Sequence, residues 1–200
     1  MNYKLLTQFE GMLSDYTGAP FVILTDSCTH AIELCLRHQK YEGPVILPHR
    51  TYVSIPMTMH KLGLEIYWDK EYNWDYEYRI APTNIWDSAR AFDENMYVSG
   101  RMQCLSFGHD KRLAIAHGGA ILLDSRADYL SLKPKAYDGR RIDEYVPWQK
   151  QEIWYVGYHY NMRLEDAAKG IDLMQHLDEL PNKKSQLKSY PDVSILNIDK

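Results

Sequence analysis

Short apolar runs recur along this chain, and most give way at once to small or polar residues. They cover residues 21–24, 44–47, 64–68, 83–86, 102–107 and 119–123. Runs this short are too brief for a helix and suit strands covered on both faces. Stretches of helical period stand between several of them. Residues 3–16 place Leu5, Leu6, Phe9, Met12 and Leu13 on one face, and Gly18 with Pro20 stops that helix. Residues 30–38 carry Ile32, Leu34, Cys35 and Leu36 at helical spacing. Residues 53–62 read as a helix with Pro56 tolerated in its first turn and Gly63 at its end. A short helix is predicted over 125–132. Residues 162–180 set Leu164, Ala167, Ala168, Ile171, Leu173, Met174 and Leu177 along one broad apolar side, and Pro181 ends them. This alternation implies an α/β fold with a mainly parallel central sheet and flanking helices. Residues 1–180 are expected to form one unit, followed by a loosely held polar tail, 181–200. Residues 69–79 read as a loop or irregular edge, and 133–156 as irregular.

In sheets of this kind a ligand sits at the carboxyl ends of the strands. Ser27, Tyr52, Asp87, Ser106 and Lys111 all fall just after predicted strands. The run from Thr25 to Thr29 turns from a strand into a helix through small polar residues, so it can present backbone N–H groups to an anion. The same run also reads as a plain helix cap by Asp26, Ser27 or Thr29. An acid at one strand end, a hydroxyl at the next and a lysine in the following loop is the layout of a pyridoxal-phosphate site. There the lysine carries the cofactor as a Schiff base, the acid holds the pyridine nitrogen protonated, and the serine bonds the phosphate. A strand-end aspartate beside a solvated lysine gives the same spacing without a cofactor.

Composition narrows the class. The chain has 200 residues and a net charge of −4, which argues for neither nucleic acid nor a membrane surface as partner. Cys28, Cys35 and Cys104 lack metal-ligand spacing, so no metal site is expected and the thiols read as reduced, in a cytoplasmic protein. No signal-peptide pattern opens the chain, and no apolar run approaches membrane-spanning length.

Five blocks, in order, resemble one family. FEGMLSDYTGAPFVILTDSCTHAIELCLR resembles an opening helix and an S-G-T-x-A-L phosphate turn. ILPHRTYVSIPMTMHKLG resembles a P-x-x-T-[YFW]-V segment, and NIWDSARAF an E-D-A-A-Q-A strand end. CLSFGHDKRLAIAHGGAIL resembles S-F-x-x-x-K-x-L followed by G-G-A, and GYHYNMRLEDAAKGIDLMQHLDEL a G-Y-N-Y-R-M helix block. Together these blocks resemble the DegT/DnrJ/EryC1/StrS aminotransferases, fold-type I pyridoxal-phosphate enzymes that mostly aminate nucleotide-linked keto-sugars in sugar biosynthesis. The resemblance implies a shortened large domain of that fold. Lys111 would be the Schiff-base lysine and Asp87 the partner of the pyridinium nitrogen. Ser106 would bind phosphate by its hydroxyl, Cys28 and Thr29 by backbone N–H groups, and Tyr52 would stack on the cofactor ring. The family's asparagine in G-Y-N-Y-R-M reaches the phosphate of the neighbouring subunit, which implies a homodimer with His159 in that role.

This chain departs from the family pattern at several positions. Cys28 replaces a glycine, so the turn must avoid positive φ or be strained. Arg90 replaces a Gln or His near the cofactor's phenolic oxygen, and Asn161 replaces the motif arginine. The segment between Trp68 and Asn84 is short for the family, and the small C-terminal domain is expected to be absent. The implied activity is transfer of an amino group, from glutamate in most relatives, to a keto-sugar. Arg112, Arg140 or Arg141 could hold a carboxylate or diphosphate, or form a solvated basic surface. Two alternatives stand beside it: a catalytically reduced binding or regulatory module, and a pyridoxal-phosphate enzyme of another reaction type.

Overall fold

The computed structural model describes residues 3–141, 146–153, 155–180 and 190–196. Seven strands form its centre: β1 (Phe21–Thr25), β2 (Val45–Pro48), β3 (Ile66–Asp69), β4 (Tyr78–Arg79), β5 (Ile85–Asp87), β6 (Met102–Ser106) and β7 (Gly119–Leu123). Five of them pair in the order β1-β7-β6-β5-β4, and β2 pairs with β3. A single antiparallel bridge, Ile46 to Ala81, joins the two sheets just beyond β4. β1, β2, β3, β5 and β6 therefore run one way, and β4 and β7 the other.

The α/β class holds, but the sheet is mixed rather than mainly parallel in its pairing. β7 lies between β1 and β6 and is antiparallel to both. The reason is the connection: only a hairpin loop, 107–118, separates β6 from β7, and a parallel return needs a longer crossover. β4 falls inside the stretch expected to be a loop or an irregular edge, and it is a short strand at the edge of the sheet. Its two residues pair with β5 and place Tyr78, which is fully buried, beside Asp87.

Both faces of the sheet are covered. Along the central strands Val22, Leu24, Leu105, Ala120 and Leu122 point into one core. Ile23, Cys104, Ile121 and Leu123 alternate into the other. The first core is closed by α1 (Lys4–Thr17) and α5 (Leu164–Gln175), the second by α2 (Cys28–Gln39), α3 (Ser54–Lys61) and α4 (Arg126–Lys135). α1 buries Leu6, Phe9 and Leu13 and ends at Gly18, whose φ of 77° is a left-handed cap. α5 approaches α1 closely at Gly170, where a Cβ would lie 2.5 Å from the Phe9 ring.

Three further boundaries differ from expectation. α4 continues through Pro134 to Lys135, because a proline disturbs only the turn before it and here stands at the helix end. α5 stops at Gln175, and residues Leu177–Glu179 form a separate 3-10 turn. Of the tail expected to be loose, residues 190–196 are docked. The Val193 N–H donates to the His49 carbonyl at 2.9 Å, and the Val193 side chain is buried. No helix among the described residues is long and apolar enough to cross a membrane.

Candidate active site

The carboxyl ends of β1, β5 and β6 open on one cavity of about 420 Å³, joined by Ala116, His117 and Gly118 at the end of the loop before β7. That is within the usual range for a small-molecule site. Asp87 ends β5 and forms part of the floor. It is buried, and its carboxylate accepts hydrogen bonds from the Tyr78 hydroxyl at 2.9 Å and the Ala89 N–H at 3.0 Å. The Tyr78 hydroxyl in turn lies 2.6 Å from that of Thr51, so a relay of hydroxyls fixes the acid's orientation. Burial pushes the Asp87 carboxyl above its ordinary range, while the Ala89 N–H, Tyr78 and the Lys111 charge pull it back. Burial, and then the Asp87 charge, raises both Tyr78 and Cys28 well above their ordinary values, so both stay neutral at this floor.

The cradle is built where β1 meets α2. Ser27 caps α2 by accepting the His30 N–H at 3.2 Å, so the helix start faces the cavity at Cys28 and Thr29. Cys28 is helical and not at positive φ, which resolves the replacement of glycine without backbone strain. Its thiol turns away from the cradle and donates to the Cys104 carbonyl at 3.3 Å. The close approach is made possible from the other side by Gly119, where a Cβ would lie 2.5 Å from the Cys28 nitrogen and the Ser27 carbonyl carbon. The plain cap read from this stretch is therefore present, and it leaves the helix start at Cys28 and Thr29 on the cavity.

Ser106 and Lys111 stand on the hairpin after β6. A Cβ at Gly108 would meet the Ser106 hydroxyl at 3.7 Å and the Lys111 Cε at 3.9 Å, so the two side chains converge across that glycine. Lys111 lines the cavity with its amine 3.5 Å from the Asp110 carboxylate. The hairpin is strained at Ala116, whose φ is 96°.

Cys28, Thr29, Tyr52, Asp87, Ser106 and Lys111, all singled out in the sequence, line this one cavity. Arg90 does not line it; its guanidinium lies over the ring of Tyr190, which does, at 5.5 Å. His159 does not line it: its side chain is 79% exposed and bonds Asp138 at 3.1 Å. Arg112 is engaged with the Tyr16 hydroxyl at 2.8 Å and the Phe92 carbonyl at 3.2 Å. Arg140 lies over the Tyr137 ring and pairs with Asp138. Neither these two nor Arg141 lines the cavity. Sequence reasoning missed Tyr78, Trp74, Tyr190 and Asp110. Trp74 and Tyr78 sit in a polar-aromatic stretch without period, and Tyr190 in an unpatterned tail, so no local signal marked them.

The donor set fits pyridoxal phosphate. The cavity has the start of α2 at its rim, a buried acid on its floor and a lysine in its wall. The family model of the DegT/DnrJ/EryC1/StrS aminotransferases matches residues 1–69 and 86–194. No curated protein matches by sequence. Among solved structures the chain resembles 3-amino-5-hydroxybenzoic acid synthase, with a TM-score of 0.72 and 17% identity over 88% of this chain and 56% of that one. It resembles AtS13 from Actinomadura melliaura, with a TM-score of 0.73 and 17% identity over 88% of this chain and 60% of that one. It also resembles Helicobacter pylori PseC, an aminotransferase involved in pseudoaminic acid biosynthesis, with a TM-score of 0.68 and 15% identity over 88% and 58% of the two chains. At these identities the likeness is one of fold. The chain spans less than two thirds of the length of each.

Proposed function

The chain belongs to the DegT/DnrJ/EryC1/StrS aminotransferase family, and on that premise we propose that it is a pyridoxal-phosphate-dependent aminotransferase acting on a keto-sugar. The observation that carries this reading is convergence. Lys111, Asp87, Ser106 and the start of α2 come from three separate stretches of chain and line one cavity. A solvated loop lysine has no reason to face a buried aspartate.

When bound, the cofactor supplies an electron sink for charge developing at the donor's α-carbon. The start of α2 and the Ser106 hydroxyl bind its phosphate. Asp87 accepts a hydrogen bond from the ring nitrogen and keeps the proton there; Tyr78 and the Ala89 N–H hold the carboxylate in place for it. The ring of Tyr52, 57% exposed and lining the cavity, covers one face. Lys111 anchors the cofactor through its amine. With the cofactor bound, the Lys111 amine would be the general base for the donor's Cα proton and would hold that proton for return to the adjacent carbon. Asp110 holds that amine on the cavity side. Arg90 does not line the cavity but lies over the ring of Tyr190, which does; were it to reach the phenolic oxygen of the cofactor, its guanidinium would favour the ionised oxygen.

Glutamate is the proposed amino donor and a nucleotide-linked keto-sugar the proposed acceptor. His159, exposed and held on a bridge to Tyr137, suits a contact to the phosphate of a second subunit, so the working form is a homodimer. Three free, buried thiols fit a reducing compartment such as the cytoplasm.

The test is a visible spectrum of the protein with added pyridoxal phosphate, wild type beside Lys111→Ala, followed by borohydride trapping and peptide mapping. We expect an adduct on Lys111 that vanishes in the variant, and conversion to the amine form when glutamate is added. An adduct without that conversion would point to a binding module. No adduct at all removes the reading.

A further inference from the structure

Trp74 and Tyr190 are far apart in the chain, and Trp74 lies in the stretch 70–85 that the family match leaves out. In the fold both line the cavity. Their rings stack with centroids 5.6 Å apart and planes 19° from parallel. Arg50, in the loop after β2, locks the pair from both sides. Its carbonyl accepts the Trp74 indole N–H at 2.8 Å, and its guanidinium donates to the Tyr190 carbonyl at 3.0 Å. Trp74 also packs on the ring of Tyr78 at 4.8 Å, and the Tyr78 hydroxyl donates to Asp87. An unbroken column of three aromatic rings therefore runs from the docked tail to the acid on the cavity floor. The phosphate cradle, built from Ser27 to Thr29, is a separate part of the same cavity.

We propose that Trp74 and Tyr190 are positioning residues that wall the cavity on its Asp87 side and confine the pyridine ring of the cofactor over that acid. The inference rests on the pyridoxal-phosphate reading above. The wall acts in two ways. It buries ring carbon that would otherwise face water, and it lowers the local polarity around Asp87, where a hydrogen bond to the ring nitrogen gains strength. Because Arg50 orders both rings in advance, little side-chain freedom is lost when the cofactor binds.

The test measures the dissociation constant for pyridoxal phosphate by absorbance and tryptophan fluorescence, on the full chain. The variants are Trp74→Ala, Trp74→Phe, Tyr190→Ala and Tyr190→Phe, with Tyr72→Ala as an exposed control. Each alanine variant is expected to weaken binding by about tenfold, the scale of one lost aromatic contact. Each phenylalanine variant keeps a ring and should stay within about threefold of wild type. At saturating cofactor the borohydride adduct on Lys111 should persist in all of them, since the amine is untouched. Alanine variants that bind as tightly as wild type overturn the proposal. So does a phenylalanine variant as weak as its alanine counterpart, which would assign the effect to the indole N–H bond of Trp74 or to the hydroxyl of Tyr190 rather than to the rings, since the Tyr190 carbonyl that Arg50 holds is backbone and survives both changes. Should Trp74→Ala fail to fold, Tyr190→Ala, at the end of a surface segment, carries the same comparison. Wild-type protein that takes up no pyridoxal phosphate sinks the cofactor reading itself. Normal uptake with unaffected variants sinks only the wall.

Discussion

Replacing Ala116 by glycine should stabilise this protein. Ala116 sits at φ 96° in the hairpin that carries Lys111, and its N–H donates to the Phe107 carbonyl at 3.0 Å. For a residue with a Cβ, a left-handed conformation costs about 1–2 kcal/mol, and 96° lies beyond the centre of the favoured left-handed region. Glycine removes that cost, but its looser unfolded chain takes back about 0.4–1 kcal/mol. The net expectation is about 0.5–1 kcal/mol in favour of Ala116→Gly. For a chain of this size that shifts the melting temperature upward by roughly 1–4 °C. Calorimetry and urea denaturation at matched protein concentration would measure it, with the urea midpoint rising and the slope unchanged. The Phe107 bond is a backbone bond and survives the change, so pyridoxal-phosphate uptake should be retained. An equal or lower melting temperature would refute the argument, because it would mean that the hairpin does not hold Ala116 at positive φ.

Two further outcomes follow from the floor of the cavity. Burial raises the Asp87 carboxyl above its unfolded value, so the folded chain holds that proton longer and loses stability as pH rises through the folded pKa. Asp87→Asn, uncharged throughout, should therefore melt higher than the cofactor-free wild type at pH 7. The gap should close as pH falls through the carboxylate range, and amine formation from glutamate should be lost; a wild type that melts higher at neutral pH contradicts this. Cys28, Cys35 and Cys104 are all buried, and burial pushes the Cys28 and Cys104 thiols well above their ordinary values. Iodoacetamide at pH 8 should leave the native protein unlabelled by intact mass and modify all three sites once it is denatured. Labelling of native Cys28 would show that the floor beneath Asp87 is open to solvent.

The parts of this molecule that were legible in its sequence are those fixed by short-range chemistry. Residues 119–123 read as a strand because they form an uninterrupted apolar run, and they are one, with both faces buried. The turn through Ser27 read as a cap or cradle because small polar residues before a helical period leave few other outcomes. The positions after the strands read as one mouth because strand direction sets where side chains meet. What stayed hidden depends on distant partners. β4 is two residues long and forms only because β5 offers it an edge. Trp74 has no helical or strand period, and its place is fixed by the Arg50 carbonyl and Tyr190. The tail 181–200 reads as polar and loosely held taken as a whole, yet Val193 finds a buried site beside His49. The antiparallel setting of β7 follows from a hairpin too short for a crossover, which a count of strands and helices does not show.

That antiparallel setting makes the two halves of the cavity unequal in chain entropy. Ser106 and Gly119 face each other across the β6–β7 hairpin, so the lysine half closes a short loop. Thr25 faces the same Gly119 from nearly half the chain away, so the cradle half closes a long one. By the logarithmic scaling of loop closure, the long closure costs about 2 kcal/mol more than the short one. A phosphate held at once by the start of α2 and by Ser106 would bridge that difference. It would act on the chain as a reversible crosslink, and its grip would be felt at the β1–β7 seam, the contact that is dearest to make.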